Sequence, residues 1–150
     1  VNAADAFLAL PPGDQRRIHL ALCRDALAVW MAYVAAEGPI RYNDSIVGML
    51  HEVEPGLPAD ALRSAEAGAD LADVDVRYRE PITALQDDDL SFPGPVGLGY
   101  YALYNCFQRY ACGASIDPWI IVQQALACTP DPAERLARAV RDVNGPPGNG

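Results

Sequence analysis

The stretch "DQRRIHLALCRDALAVWMAYVAAEG" (residues 14–38) follows the breaker Pro11-Pro12-Gly13 and runs into Gly38-Pro39. Ile18, Leu22, Ala26, Val29 and Tyr33 recur in it at intervals of four, four, three and four. That is the period of one helix face. Leu27, Trp30 and Val34 widen the apolar stripe, which predicts a central helix rather than a surface one. Asp14 is placed to cap its start. An element of that length crosses a small domain, so the rest of the chain is expected to pack around it.

Shorter helices are expected on both sides, each marked by Pro, Gly or a capping acid. They cover residues 3–10, 44–53 (opened by Asp44 or Ser45) and 59–67. A further helix runs through residues 70–85, with Asp73 as its cap and its start or a kink near Pro81. Beyond Phe92-Pro93-Gly94-Pro95, the Tyr-rich segment around residues 100–111 forms another helical stripe. Asp117-Pro118 supplies a cap and a proline at the first helical position. The segment from Trp119 to Leu126 is apolar almost all round and is expected to be buried. The last helix covers residues 133–143, with Arg135, Arg138 and Arg141 outside. The expectation is an all-α, compact helical bundle of six or seven helices, one domain over residues 1–143. Residues 144–150 form a Pro/Gly-rich flexible tail.

Charge is distributed unevenly. All eleven basic residues are Arg, and Lys is absent; with abundant Ala, Gly and Pro this points to a GC-rich bacterial coding bias. Between Glu37 and Asp89 thirteen acids face four Arg, an excess equal to the whole formal net charge of −9. Such a segment repels nucleic acid and anionic membrane and attracts basic partners. At its end stands Asp87-Asp88-Asp89. Three successive residues on a helix point about 100° apart, so they do not face one metal ion, and the alternation and glycine of a calcium loop are missing. Carboxylates at a helix C-terminus oppose its macrodipole, which hints at a role outside the fold.

Catalytic signals are thin. His19 and Cys23 lie one turn apart, the spacing of a nucleophile and its base, but helix neighbours of this kind arise by chance and no orienting Asn or Asp is evident. Neither histidine belongs to a metal-ligand motif. No catalytic residue, metal or cofactor is expected. Cys23, Cys106, Cys112 and Cys128 form no CxxC pair, and Cys106 and Cys112 are poorly spaced for a disulfide on one helix. A reducing, cytoplasmic setting is expected, since no signal peptide and no uninterrupted apolar run of about 18 residues is present.

The expected binding surface is a partner-docking face made of Asp87, Asp88 and Asp89, with Asp44, Glu52, Glu54 and Glu80 around them. Tyr42 and Phe92, beside predicted loops, are its exposed aromatic anchors. The segments "YNDSIVGMLHEV", "YREPITALQDDDLSFP" and "YYALYNCFQRY" resemble helical members of the immunity proteins that neutralise polymorphic or contact-delivered bacterial toxins. The resemblance spans about residues 41–127. It implies a cytoplasmic inhibitor that binds a cognate toxin domain and occludes its active site, here a basic cleft, without touching nucleic acid or membrane itself. The competing expectation is a small helical enzyme or ligand-binding domain. Its pocket would lie between the central and Tyr-rich helices, lined by Tyr33, Asp44, His51 and Tyr101.

Overall fold

The computed structural model describes residues 2–145. Seven α-helices and one small hairpin occur among them: α1 (Ala3–Leu8), α2 (Pro12–Glu37), β1 (Arg41–Asn43), β2 (Leu50–Glu52), α3 (Leu57–Ala67), α4 (Val74–Gln86), α5 (Gly94–Ala111), α6 (Pro118–Leu126) and α7 (Pro132–Asn144). Helices make up 69% of the described residues, so the all-α expectation holds despite the strands. Asn144 and Gly145 of the expected tail are described, Asn144 as the last residue of α7; residues 146–150 lie outside the described residues.

α2 is the central helix. Its 26 residues make it roughly 39 Å long. It starts at Pro12, so Asp14 lies within its first turn and is not the cap. By length and composition it is also apolar enough to cross a bilayer, which an uninterrupted-run criterion misses. Here Ile18, Leu22, Cys23, Ala26 and Trp30 are buried in the protein core. α5 packs against α2 on one side and α3 on another, and α6 closes the same layer. Gly99 lets α5 come close: a Cβ there would lie 2.7 Å from Cys128 Sγ and 3.3 Å from the Ala26 Cβ.

The core has two lobes along α2. Around its first half, Phe7, Ile18, Leu22, Leu103, Ile121 and Leu136 bring together α1, α2, α5, α6 and α7. Around its second half, Trp30, Tyr78, Tyr100 and Phe107 form an aromatic lobe with Val74, Leu57 and Tyr42. The Trp30 ring lies 4.9 Å from Tyr100 and 5.3 Å from Phe92 between centroids. Trp30 donates its indole N–H to the Pro55 carbonyl at 2.8 Å, and Tyr78 donates to the Tyr100 carbonyl at 2.9 Å.

Caps and breakers place most helix ends. Asp117 accepts from the Trp119 N–H and Asp131 from the Glu134 N–H. Two expectations change in detail. α6 is not buried all round, since Ile120 is exposed. Arg135 does not lie outside; it is half-buried and donates to Asp25 at 2.6 Å, tying α7 to α2.

Two larger expectations are overturned. Residues 44–53 are not a helix. Arg41, Tyr42 and Asn43 pair antiparallel with Glu52, His51 and Leu50. The turn between them is built by Asp44, whose carboxylate accepts from the Ile46 and Val47 N–H groups, and by Gly48 at φ +72°. The second change is at α4, which begins at Val74, with Pro81 in its interior. Asp73 holds the N-cap position as expected, but its side chain makes no capping hydrogen bond; the Asp70 carboxylate accepts from the Val74 and Asp75 N–H groups instead. Ala72 and Asp73 are both left-handed, which separates α4 from the preceding 3₁₀ turn.

His19 is fully buried, against the rings of Phe7 and Tyr110. Its Nε2 lies 2.8 Å from the Pro118 carbonyl, which only accepts, so Nε2 carries the proton. Nδ1 therefore accepts from the Tyr110 hydroxyl at 2.6 Å. Burial, outweighing the Pro118 carbonyl, and the Arg109 guanidinium hold the imidazole down to a pKa of about 4. An unfolded histidine titrates near 6.5. The stability from neutral His19 is then complete above about pH 6.5 and is lost as pH falls toward 4, by about 3 kcal/mol. Urea unfolding at pH 7 and pH 4.5 will show this loss, and His19→Gln will flatten that part of the pH dependence. The Tyr100 hydroxyl is a separate case: it is buried and has no hydrogen-bond partner among the described residues. Tyr100→Phe removes the unsatisfied group and is expected to raise stability by about 1 kcal/mol in the same assay.

Candidate functional site: an acidic face around the hairpin

The site is built by two elements, the hairpin and the C-terminal end of α4. Tyr42 points inward from β1 and is buried, contrary to its expected exposure. It stacks on His51 of β2, 5.2 Å between centroids. Its hydroxyl donates to Glu80 Oε1 on α4 at 3.2 Å. Burial first, and then the Glu80 carboxylate, push the Tyr42 phenol up to about 12, so it stays a donor. His51 Nδ1 also meets Glu80 Oε1, and Nε2 faces Asp44 Oδ2 at 3.7 Å. Glu80 thus fixes the hairpin to α4 through both aromatic residues.

A second tie fixes the turn. Asp89 Oδ2 accepts from the Ser45 N–H and from the Ser45 hydroxyl, each at 3.0 Å. Between the hairpin and α4 lies a groove of about 300 Å³, lined by Tyr42, Ile46, Val76, Ala84 and by Asp44, Glu80, Asp87 and Asp89.

The Asp triplet ends α4 in a specific way. Asp88 is left-handed, at φ +61°. The Asp89 N–H donates to the Ala84 carbonyl at 2.9 Å and the Asp88 N–H to the Leu85 carbonyl at 3.4 Å. This is a Schellman ending with aspartate in the position that glycine usually fills. Asp87 and Asp88 are exposed, and among the described residues neither forms an ion pair.

The remaining expected residues separate into groups. Glu52 is exposed on β2 and meets Arg41 across the strands at 3.2 Å. Glu54 lies in the connection between β2 and α3, bound to Arg77, which also bridges to Asp60 at 3.2 Å. Phe92 is half-buried against Trp30 and Tyr33 rather than a free anchor. The four residues of the expected pocket are not gathered: Asp44 and His51 are on the hairpin, whereas Tyr33 and Tyr101 pack on the aromatic lobe. The close contact at Gly99 also leaves α2 and α5 tightly joined there.

The His19–Cys23 pair has no catalytic geometry. Both imidazole nitrogens of His19 are engaged within the core. Cys23 is fully buried, and the neighbouring Cys106 thiol together with burial pushes its thiol well up. A protonated buried thiol is not a nucleophile. All four cysteines are free, which settles the Cys106–Cys112 question. Among the described residues no group of three or more His, Cys, Asp or Glu side chains is arranged to hold a metal ion.

One feature of the site escaped the sequence reading. Ile46, Val47, Met49 and Leu50 are all strongly exposed, Ile46 at 77%. The helix expected over residues 44–53, opened by Asp44 or Ser45, says nothing of these side chains' exposure. The signal that corrects this reading is Asp44 followed four residues later by Gly48, the polar and left-handed ends of a turn.

Comparison with protein-family profiles, with curated proteins and with solved structures finds no match to this chain.

Asp88→Gly tests the ending of α4. It relieves a left-handed aspartate and removes a carboxylate from the negative end of the helix macrodipole. Chemical denaturation is expected to show a gain of about 1 kcal/mol.

Proposed function

We propose that the protein is a non-enzymatic docking protein that binds a basic protein surface through the hairpin and α4 face, in the manner of a bacterial immunity protein occluding a toxin's active-site cleft. The observation that carries this reading is the end of α4. Asp87 and Asp88 lie exposed where their charge opposes the helix macrodipole, and Asp88 holds a backbone conformation that suits glycine better. Folding gains nothing from carboxylates there, whereas recognition of a cation does. Asp44, Glu80 and Asp89 carry the charge onto the hairpin. Their hydrogen bonds hold the face in one shape, so less order has to be gained on binding.

The mechanism is electrostatic encounter followed by steric cover. Concentrated negative charge raises the rate at which a basic surface arrives in the right orientation. The hairpin then stands in the cleft that the partner uses for its own substrate. The setting consistent with four reduced thiols is the bacterial cytoplasm.

Affinity capture from the source bacterium, eluted with a salt gradient and read by mass spectrometry, tests the reading. A stoichiometric basic protein released only at high salt is expected. The variant Asp87→Arg/Asp88→Arg should slow its association about tenfold or more at low salt. The same protein eluting at the same salt from that variant would sink the proposal. So would a captured partner whose toxicity is not relieved when the two are expressed together.

A further inference from the structure

The acidic face borders an apolar projection that charge alone does not explain. Among the described residues, four of the ten exposed large apolar side chains fall within positions 46–50, and Val76 on α4, 70% exposed, adds a fifth beside them. Ile46 and Val76 share the hairpin–α4 groove. A contiguous apolar surface of this kind marks an interaction site more often than a scattered one does.

The projection is held out rather than collapsed. Asp44 accepts two N–H groups of the turn, Gly48 donates back to the Asp44 carbonyl at 2.7 Å, and Ser45 is bound to Asp89. The backbone therefore presents Ile46, Val47 and Met49 on a fixed turn, at little entropic cost to a partner.

We infer that the hairpin tip is an apolar plug, and that the partner is a protein surface with an apolar pocket rimmed by Arg or Lys. This rests on the docking reading above and specifies its partner. Charge complementarity selects this occupant. Asp44, Glu80, Asp87 and Asp89 line the groove on the α4 side of the tip, where Arg79 also lines it, and the exposed Asp88 stands between Asp87 and Asp89 in the chain. An anionic lipid surface is repelled by those carboxylates. A second copy docking by two-fold symmetry sets them against their own copies, which like charges oppose. A basic rim around an apolar pocket satisfies both features at once, giving a desolvated centre and a charged edge.

The test uses three labelled synthetic peptides: one of Leu and Arg, one with every Leu replaced by Ser, and one with every Arg replaced by Glu. Fluorescence anisotropy is measured with the full chain, with Ile46→Ser/Met49→Ser and with Asp87→Asn/Asp88→Asn. The altered side chains are solvent-exposed, and circular dichroism checks that the helices persist. The Leu/Arg peptide should bind at least about tenfold more tightly than the Ser/Arg peptide. The tip variant should erase that difference while leaving Ser/Arg binding intact, and the Asn variant should weaken both.

Equal binding of the Leu/Arg and Ser/Arg peptides, unchanged by the tip variant, overturns the plug and leaves the charged docking face standing. No binding of either Arg peptide overturns the docking reading and the plug with it. Equal binding of the Leu/Glu peptide shows a merely adhesive patch and overturns the complementarity. Tip-dependent adsorption to phosphatidylcholine–phosphatidylserine vesicles, or tip-dependent self-association in sedimentation, assigns the tip to lipid or to a second copy and overturns it too.

Discussion

The approach of α5 to α2 at Gly99 and Ala26 is the constraint from which the other contacts follow. With no Cβ on Gly99, the two helices and the Cys128 thiol come into direct contact, and Cys128 donates to the Pro95 carbonyl at 3.3 Å. Any side chain at position 99 would drive Sγ or the Ala26 backbone away. That displacement would be transmitted to Tyr100, the next residue, whose ring contacts Trp30, Tyr78 and Phe92. A close-packed interior does not absorb such a shift locally. The aromatic lobe, and through Tyr78 the placement of α4, thus depend on a single missing methyl group.

From α4 the dependence continues outward to the surface. Tyr78 anchors the buried side of α4, and Glu80, two residues on, receives Tyr42 and His51 from the hairpin. Asp89, past the end of the helix, holds the turn through Ser45. The hairpin is only three residues per strand, and an isolated hairpin of that size is not stable in water. It exists because one buried tyrosine, Glu80 of α4 and Asp89 beyond its end hold it. Its shape is therefore a consequence of the core two layers below.

This dependence also explains what was legible in the sequence. Helix ends at Gly38, Gly68, Asp117 and Asp131 are set by local chemistry, a left-handed glycine or a short side chain reaching its own backbone, and local chemistry is written in adjacent residues. The hairpin is set by Tyr42 to Glu80 and Ser45 to Asp89, partners 38 and 44 positions away. Within residues 44–53 alone, Asp44 or Ser45 serves as a helix-opening residue, so the segment reads as a helix. The acidic face was legible as composition; its apolar centre was not, because exposure is a property of the tertiary ties. Tyr42 was misplaced for the same reason, since its burial is decided by α4.

The α4 terminus illustrates how local inconsistency bears on function. A sequence that served folding alone would place glycine at the left-handed position after Gln86 and a basic residue in the last turn. This chain places Asp there instead, flanked by Asp on both sides, and no basic side chain stands in that last turn. Elsewhere its left-handed helix ending follows the rule, with Gly68 closing α3. Acids also stand in the last turns of α2 (Glu37) and α3 (Glu66), but among the described α-helices the left-handed non-glycine ending occurs at α4, which borders the exposed hairpin tip. Asp89 has a structural account, because Ser45 needs it. Asp87 and Asp88 accept no such bond, and their negative charge adds to that of Glu80 and Asp44 across the groove. Charge gathered against local stability beside an apolar projection is the pairing of features that the proposed cationic surface with an apolar centre would meet.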